Sequence, residues 1–498
     1  MDITETSLHI REEMKEGINI MKKFFVIVLM FVAVSVSGQW QSDVRLTNNP
    51  AGSYSSFINE RCVATNGNIV HVVWYDYRDG NDGEIYYKRS TDGGITWGTD
   101  TRLTNSSARA RYPSIAVSGS NVHVVWSDNR DFNYEIYYKR STDNGLSWDT
   151  DTRLTNNTAY SEFPTIEVSG SNVHIVWCEA RDSNYEIYYK CSIDNGLTWG
   201  SDIRLTNNIY YSQYPSIAVL GTVVHVVWVD NRDGNNEIYY KRSTDDGINW
   251  GTDFRMTNNT ATSWAPSIAV TGTNVHIVWY DNRDGNDEIY YKRSTDGGIN
   301  WEMDSRLTNN PAYSWTPSVA VSGSYIHVVW IDARDGNYEI YYKRSTNSGI
   351  IWEADTRLTN DTAESHGPSI ALSGTNVHVV WNDDRDGNIE IYYKRNPTGN
   401  VGITNISTEI PSAYSLSQNY PNPFNPFTVV RFSLSVVSNV VLKVYDVKGQ
   451  VVETLVNEQL QPGTYSTQWN ASAYSSGVYF YKIQAGDFSE TKRMLLIK

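Results

Sequence analysis

The sequence predicts an all-β protein, a seven-bladed β-propeller followed by a small β-sandwich. Three observations carry that expectation. Seven near-identical units of about fifty residues fill the chain from about residue 40 to residue 400. Within each unit apolar and polar residues alternate over short runs. After residue 400 the composition changes, and a second, non-repeating set of alternating runs begins. The clearest marker of the repeat is Val70-His71-Val72-Val73-Trp74, whose tryptophan returns as Trp126, Trp177, Trp228, Trp279, Trp330 and Trp381, 52 residues on once and 51 thereafter.

The second unit shows how a unit is built. Pro113–Val117 is one strand, and the Gly119-Ser-Asn121 turn leads to a second, Val122–Trp126. Asp128–Asp131 turns into a third, Glu135–Arg140, and Ser141–Gly145 turns toward a fourth that ends in Asp151-Thr-Arg-Leu-Thr155. Four antiparallel strands per unit make a propeller blade, which is buried only against its neighbours and must close into a ring. The seventh unit stops after its third strand, Glu390–Arg395. The missing piece stands at the other end, because Trp40 precedes Arg45 by five residues just as Trp97 precedes Arg102. An N-terminal strand completing the last blade leaves no open edge, so the propeller is expected to span 39–399.

Ahead of the ring, Lys22-Lys23, the apolar run Phe24–Val36 and Ser37-Gly38 read as a secretory signal peptide within an N-terminal segment 1–38, with translation expected to start at Met21. The run is too short to span a bilayer, and no later stretch is long enough for a membrane helix. Of the three cysteines, Cys178 and Cys191 fall on neighbouring strands of one blade, but the sequence does not set them opposite each other, so a disulfide stays open. The net charge of −15 resides on the propeller, since both ends nearly balance. That sign excludes a nucleic-acid partner, which requires basic surface to neutralise phosphates.

The turn between the third and fourth strands reads Ser90-Thr-Asp92-Gly-Gly94-Ile-Thr-Trp97, and the Ser-x-Asp-x-Gly-x-x-Trp form returns around Asp143, Asp194, Asp245 and Asp296. It resembles the Asp-box, or bacterial neuraminidase repeat, of sialidases and many other propellers. In unit 6 the box is degenerate, with Asn347 in place of the aspartate. An aspartate in a tight turn accepts bonds from backbone amides, and glycine supplies the positive φ. The five aspartates are therefore read as structural, within self-contained turns.

The histidines His71, His123, His174, His225, His276, His327 and His378 occur once per blade at one strand position, so they cannot converge on a metal. Arg-Asp turns also recur, as at Arg78, Arg130, Arg232 and Arg283. Sialidases hold their substrate's carboxylate with three arginines, yet equivalents in every blade favour salt bridges or a repeated ligand contact. Catalysis needs an asymmetric cluster. The sequence offers neither a distinctive Tyr and Glu pair for a nucleophile nor the arginine motif that opens a sialidase domain, and sialidases have six blades. The resemblance thus implies fold and not activity. No cofactor is expected, calcium is the one ion left open, and no metal ligands are assigned.

After a polar linker, 400–412, come Tyr420-Pro-Asn-Pro-Phe-Asn-Pro426, alternating strands such as Val440–Tyr445, then Asp446-Val-Lys-Gly449, Trp469, Ser476-Gly477-Val-Tyr-Phe-Tyr481 and a basic, apolar end. This pattern, over 413–498, resembles the type A C-terminal sorting domain of the type IX secretion system, an immunoglobulin-like β-sandwich. The resemblance implies passage across the outer membrane by that machinery, then release or surface attachment.

Where the repeats differ, they differ in the loops that lead into each blade. Tyr112, Phe163 and Tyr214 stand directly before the strand-opening proline, and Trp264, Trp315 and His366 one place earlier in the next three blades. Flat rings near carboxylates and arginines suit stacking on sugars or anchoring a protein. The sequence therefore predicts a secreted or outer-surface, non-catalytic propeller that binds a glycan or a cell-surface protein. The alternative is a sialidase-like exo-glycoside hydrolase.

Overall fold

Each repeat folds as an antiparallel sheet because its second strand is apolar on both faces and must be covered twice. The sheet is four-stranded in six blades and five-stranded in blade 1, whose first strand is split into Ser53–Tyr54 and Val63–Asn66. Val73 and Tyr75 pack with Ile85, Tyr87 and Leu103 against Ile115, Val124 and Trp126 of the next blade. Val70, Val72 and Trp74, pointing the other way, pack against Val380, Ile391 and Tyr393 of the blade before. Period two thus turns one strand into two inter-blade cores. The repeated tryptophans are almost wholly buried, and their indole N–H donates to the carboxylate two residues on, as from Trp74 to Asp76 at 2.9 Å.

The computed structural model describes residues 40–498 apart from 56–57, 59–60, 81–82, 182, 375, 398–402, 408–409, 461 and 472–473. The expected signal peptide and start site lie outside the described residues. Among the described residues every regular element is a β-strand, and seven sheets form the blades. Blade 2 is typical, with strands Ala110–Ser118, Asn121–Asp128, Glu135–Ser141 and the short Thr152–Arg153 in that order across the sheet. The seventh sheet takes its outer strand from Val44–Arg45, which pairs with Tyr393 and Tyr392. The protein is therefore a seven-bladed propeller followed by a sandwich of two four-stranded sheets.

The stretch read from sequence as a linker belongs partly to the sandwich. Ile403–Ser407 pairs with Gly463–Asn470, which in turn pairs with Phe427–Leu434. Its two isoleucines stand three residues apart and its register shifts between Asn405 and Ser407, so neither a clean alternation nor its polar average reveals this edge strand. All three cysteines are free. The register sets Cys178 against Ile187 and Cys191 against His174, so no disulfide can form between them.

The Asp-box turns are not self-contained. Asp143 accepts from the amides of Leu146 and Ser147 and from the Ser141 hydroxyl, at 2.7 to 3.0 Å. The same turn docks on the preceding blade: Trp148 meets Tyr87 edge-on at 4.9 Å, and Arg89 donates to the Asn144 carbonyl at 2.9 Å. Gly145 has φ +79°, and a side chain there would run into the Tyr87 hydroxyl. Each box is a hook from one blade to the last.

The first strands line a central channel of about 330 Å³, walled by residues such as Ile115, Ala218, Val270 and Ala320. Two charges break its apolar lining. Glu167 stands where blade 2 has Ala116 and blade 4 Ala218, and Arg61 closes an insertion of five residues in the first strand of blade 1. Arg61 crosses the channel, forms an ion pair with Glu167 and donates to the carbonyls of Ile217 and Ile268 at 3.0 Å each. Burial draws its pKa down to about 10.

Candidate functional site

The residues that repeat in every blade are engaged internally. Arg78 binds Asp76 and Asp100, both at 2.6 Å, and lies 4.4 Å over the Tyr86 ring. Arg130, Arg232 and Arg283 repeat that arrangement. Burial alone would raise the Asp76 pKa, but bonds from Arg78, Trp74 and Ser53 hold it below the ordinary carboxylate value. The four arginines named from sequence are therefore spent on carboxylates of their own blades. Each repeated histidine is buried, with Nδ1 2.6 to 2.8 Å from a tyrosine hydroxyl of the same blade. The box aspartates sit at the opposite end of the third strand from the Arg-Asp turns. Asp194 there is drawn down to about 2 by the Thr198 hydroxyl and amide and the Ser192 hydroxyl. Among the described residues no cluster of three or more His, Cys, Asp or Glu side chains could hold a metal ion.

Among the described residues the blades also differ on the face that carries the Arg-Asp turns and the loops leading into each blade. The six rings named from sequence lie there, half-buried, at a β-bulge in each first strand. Tyr112, Phe163 and Tyr214 occupy left-handed backbone at φ +56°, +54° and +55°, where blade 7 has Gly367. With their neighbours they form an arc of edge-on and tilted contacts, Tyr75 to Tyr112 to Phe163 to Tyr214 to Trp264, with ring centroids 6.2, 4.6, 5.0 and 5.4 Å apart. On the far side Trp315 donates to Asp287 at 2.7 Å and meets Tyr338, which meets His366.

Outside this arc the structure adds residues that sequence reasoning missed. Phe132 stands at the turn position where blades 4 to 7 have glycine, holds φ +78°, and is fully exposed at 103%. Tyr160 and Tyr211, at equivalent places in the loops leading into blades 3 and 4, are about half exposed. Each faces a tyrosine of the preceding blade: Tyr134 and Tyr160 are 6.0 Å apart, Tyr185 and Tyr211 6.4 Å. The inner arc fixes Tyr134 and Tyr185. Arg111 donates a hydrogen bond to the Tyr134 hydroxyl oxygen and covers that ring at 4.7 Å, while the Tyr185 hydroxyl donates to Glu162 at 3.1 Å. Burial lifts the Glu162 pKa above its usual value, against the pull of Tyr185 and Arg111.

The Glu162–Tyr185 contact corrects one expectation, since the sequence offers no distinctive Tyr and Glu pair and the fold assembles one. Aligning the repeats column by column would have found it. Arg111 and Glu162 share one repeat position with Gln213, Trp264, Trp315 and His366, and attention to aromatic residues alone passes over them.

Comparison with known proteins agrees with this architecture. Residues 418–498 match the secretion system C-terminal sorting domain. No curated protein matches the chain in sequence. Among solved structures the chain is similar to the polysaccharide lyase Uly1, with TM-score 0.51 and 10% identity over 72% of this chain and 99% of that one. It is also similar to Trypanosoma rangeli sialidase in complex with 2,3-difluorosialic acid as a covalent intermediate, with TM-score 0.44 and 12% identity over 80% and 85% of the two chains. A mutant of the same sialidase displaying trans-sialidase activity aligns at TM-score 0.43 and 10% identity over 92% and 88%. The protein thus combines a seven-bladed propeller with a type IX sorting domain. That domain directs export, with secretion or attachment at the cell surface.

Proposed function

We propose that the exported propeller is a non-catalytic module that binds a glycan on the aromatic face of blades 2 to 4. One observation carries this reading. The repeat is broken there at a cost to the fold, since Phe132 occupies a left-handed position that blades 4 to 7 give to glycine and buries nothing in return. Strain of this kind, about 1 kcal/mol for a left-handed residue, marks sites kept for a purpose other than stability. Aromatic faces beside a carboxylate and a guanidinium suit the C–H faces and hydroxyls of sugars. The reading assigns no cofactor.

Phe132→Gly tests it. The variant should be at least as stable as the parent and should lose binding on a glycan array. Undiminished binding to every glycan held by the parent would refute the assignment.

Glu162 and Tyr185 favour a second reading, a sialidase-like hydrolase, because a half-buried carboxyl beside a tyrosine is an asymmetric acid–base pair. Release of fluorophore from a fluorogenic sialoside, lost in Tyr185→Phe, would establish that activity and displace the binding-only reading. A cell-surface protein as partner would appear instead as array-negative protein that still decorates cells.

A further inference from the structure

Resting on the glycan reading, we infer that the ligand is a linear, uncharged polysaccharide that lies across two blades at once. The two tyrosine couples occur at matching positions of consecutive blade boundaries. Tyr134 and Tyr160 span blades 2 and 3, and Tyr185 and Tyr211 span blades 3 and 4. The five other boundaries place Gly83 with Arg109, Asn236 with Thr262, Asp287 with Tyr313, Tyr338 with Glu364, and Ile389 with Gly52 at the same positions. Two equal platforms in a row are a repeated site, and a repeated site matches a repeated ligand.

Each platform is pre-organised in the same way, by a side chain of the inner arc that holds the inner tyrosine's hydroxyl. In blade 2 that side chain is Arg111, and in blade 3 it is Glu162. Fixing the ring beforehand lowers the ordering cost on binding, and the outer ring of each couple remains open to solvent. Neighbouring sheets pack roughly 10 Å apart, more than one pyranose ring covers, so a ligand must run for several units to meet both couples. The anchors carry opposite charges, and the propeller around them is strongly acidic. A polyanion would be repelled, whereas a neutral chain is not.

The test uses the full mature chain with immobilised and soluble oligosaccharide ladders of one to eight units of β-1,4-glucan, β-1,3-glucan, β-1,4-mannan and β-1,4-xylan. At least one ladder should bind about tenfold or more tightly at five units than at two, as the second platform engages. Tyr160→Ala and Tyr211→Ala each remove a half-exposed ring from a loop, and each should flatten that rise while circular dichroism stays that of the parent and melting changes little. Affinity that does not grow beyond two units, or a rise that survives both substitutions, would overturn the extended ligand. Binding only to charged or branched glycans would overturn it too, while leaving the glycan reading standing. Protein that binds no carbohydrate at all would overturn both.

Discussion

Mild acid is expected to unfold the propeller well above the pH at which carboxylates titrate. Burial, reinforced in most blades by a nearby arginine, draws His71, His276 and His378 down to about 3 and His123, His174 and His225 down to about 4. A proton on these rings would have nowhere to go, because Nε2 of His71, His123, His174 and His276 is buried and makes no hydrogen bond. In the unfolded chain each histidine titrates near 6.5. Between that value and about 4 the unfolded state therefore binds protons that the folded state refuses, and stability falls as pH falls. From pH 6 to pH 5 each histidine contributes a loss on the order of 1 kcal/mol and the six together several kcal/mol, against a typical domain stability of about 5–15 kcal/mol. Guanidinium unfolding of the mature chain at pH 7, 6 and 5, followed by the fluorescence of the buried tryptophans, measures this directly. His123→Gln/His225→Gln should remove about a third of the pH slope. A midpoint that does not move between pH 7 and 5 would refute the reasoning.

Three further outcomes follow from the fold. Deleting residues 39–48 removes the partner strand of blade 7 and leaves Glu390 and Arg385 without Arg45 and Asp43; it should cost about 3–5 kcal/mol or more and produce aggregates by light scattering, and an unchanged melting temperature would contradict it. Arg61→Met strands Glu167 in the channel and should destabilise the ring by about 3 kcal/mol, whereas Arg61→Met/Glu167→Met should recover much of that loss; equal melting of the single and double variants would argue against a cross-channel strut. Truncation at residue 402 should leave a folded propeller that accumulates in the periplasm, as judged by cell fractionation, and equal amounts of truncated and intact protein outside the cell would count against a sorting role.

Much of the architecture is legible in the repeats because a blade is a local object. Its strands follow one another in sequence, turn residues punctuate them, and the period of two marks both buried faces. Trp40 and Arg45, placed like Trp97 and Arg102, even disclose the strand missing from blade 7. The sandwich is less legible at its start, where the polar composition of residues 403–407 conceals an edge strand paired some sixty residues away.

The candidate site was only half visible. The inner rings Tyr112, Phe163, Tyr214, Trp264, Trp315 and His366 could be found as departures from the repeat, since variation among copies is a property of the string itself. Their burial, their edge-on and tilted contacts and the backbone strain beneath three of them could not. Nor could the pairing of Glu162 with Tyr185, the couples at Tyr160 and Tyr211, or the reach of Arg61 to blades 3, 4 and 5, which join residues 23 to 207 positions apart. The sequence by itself determined the number of blades, the sorting tail and the residues that every copy shares, because those depend on local period and on repetition. Only the tertiary structure decided which unshared side chains meet, because contacts between blades depend on where the closed ring brings each loop, and no local pattern records that.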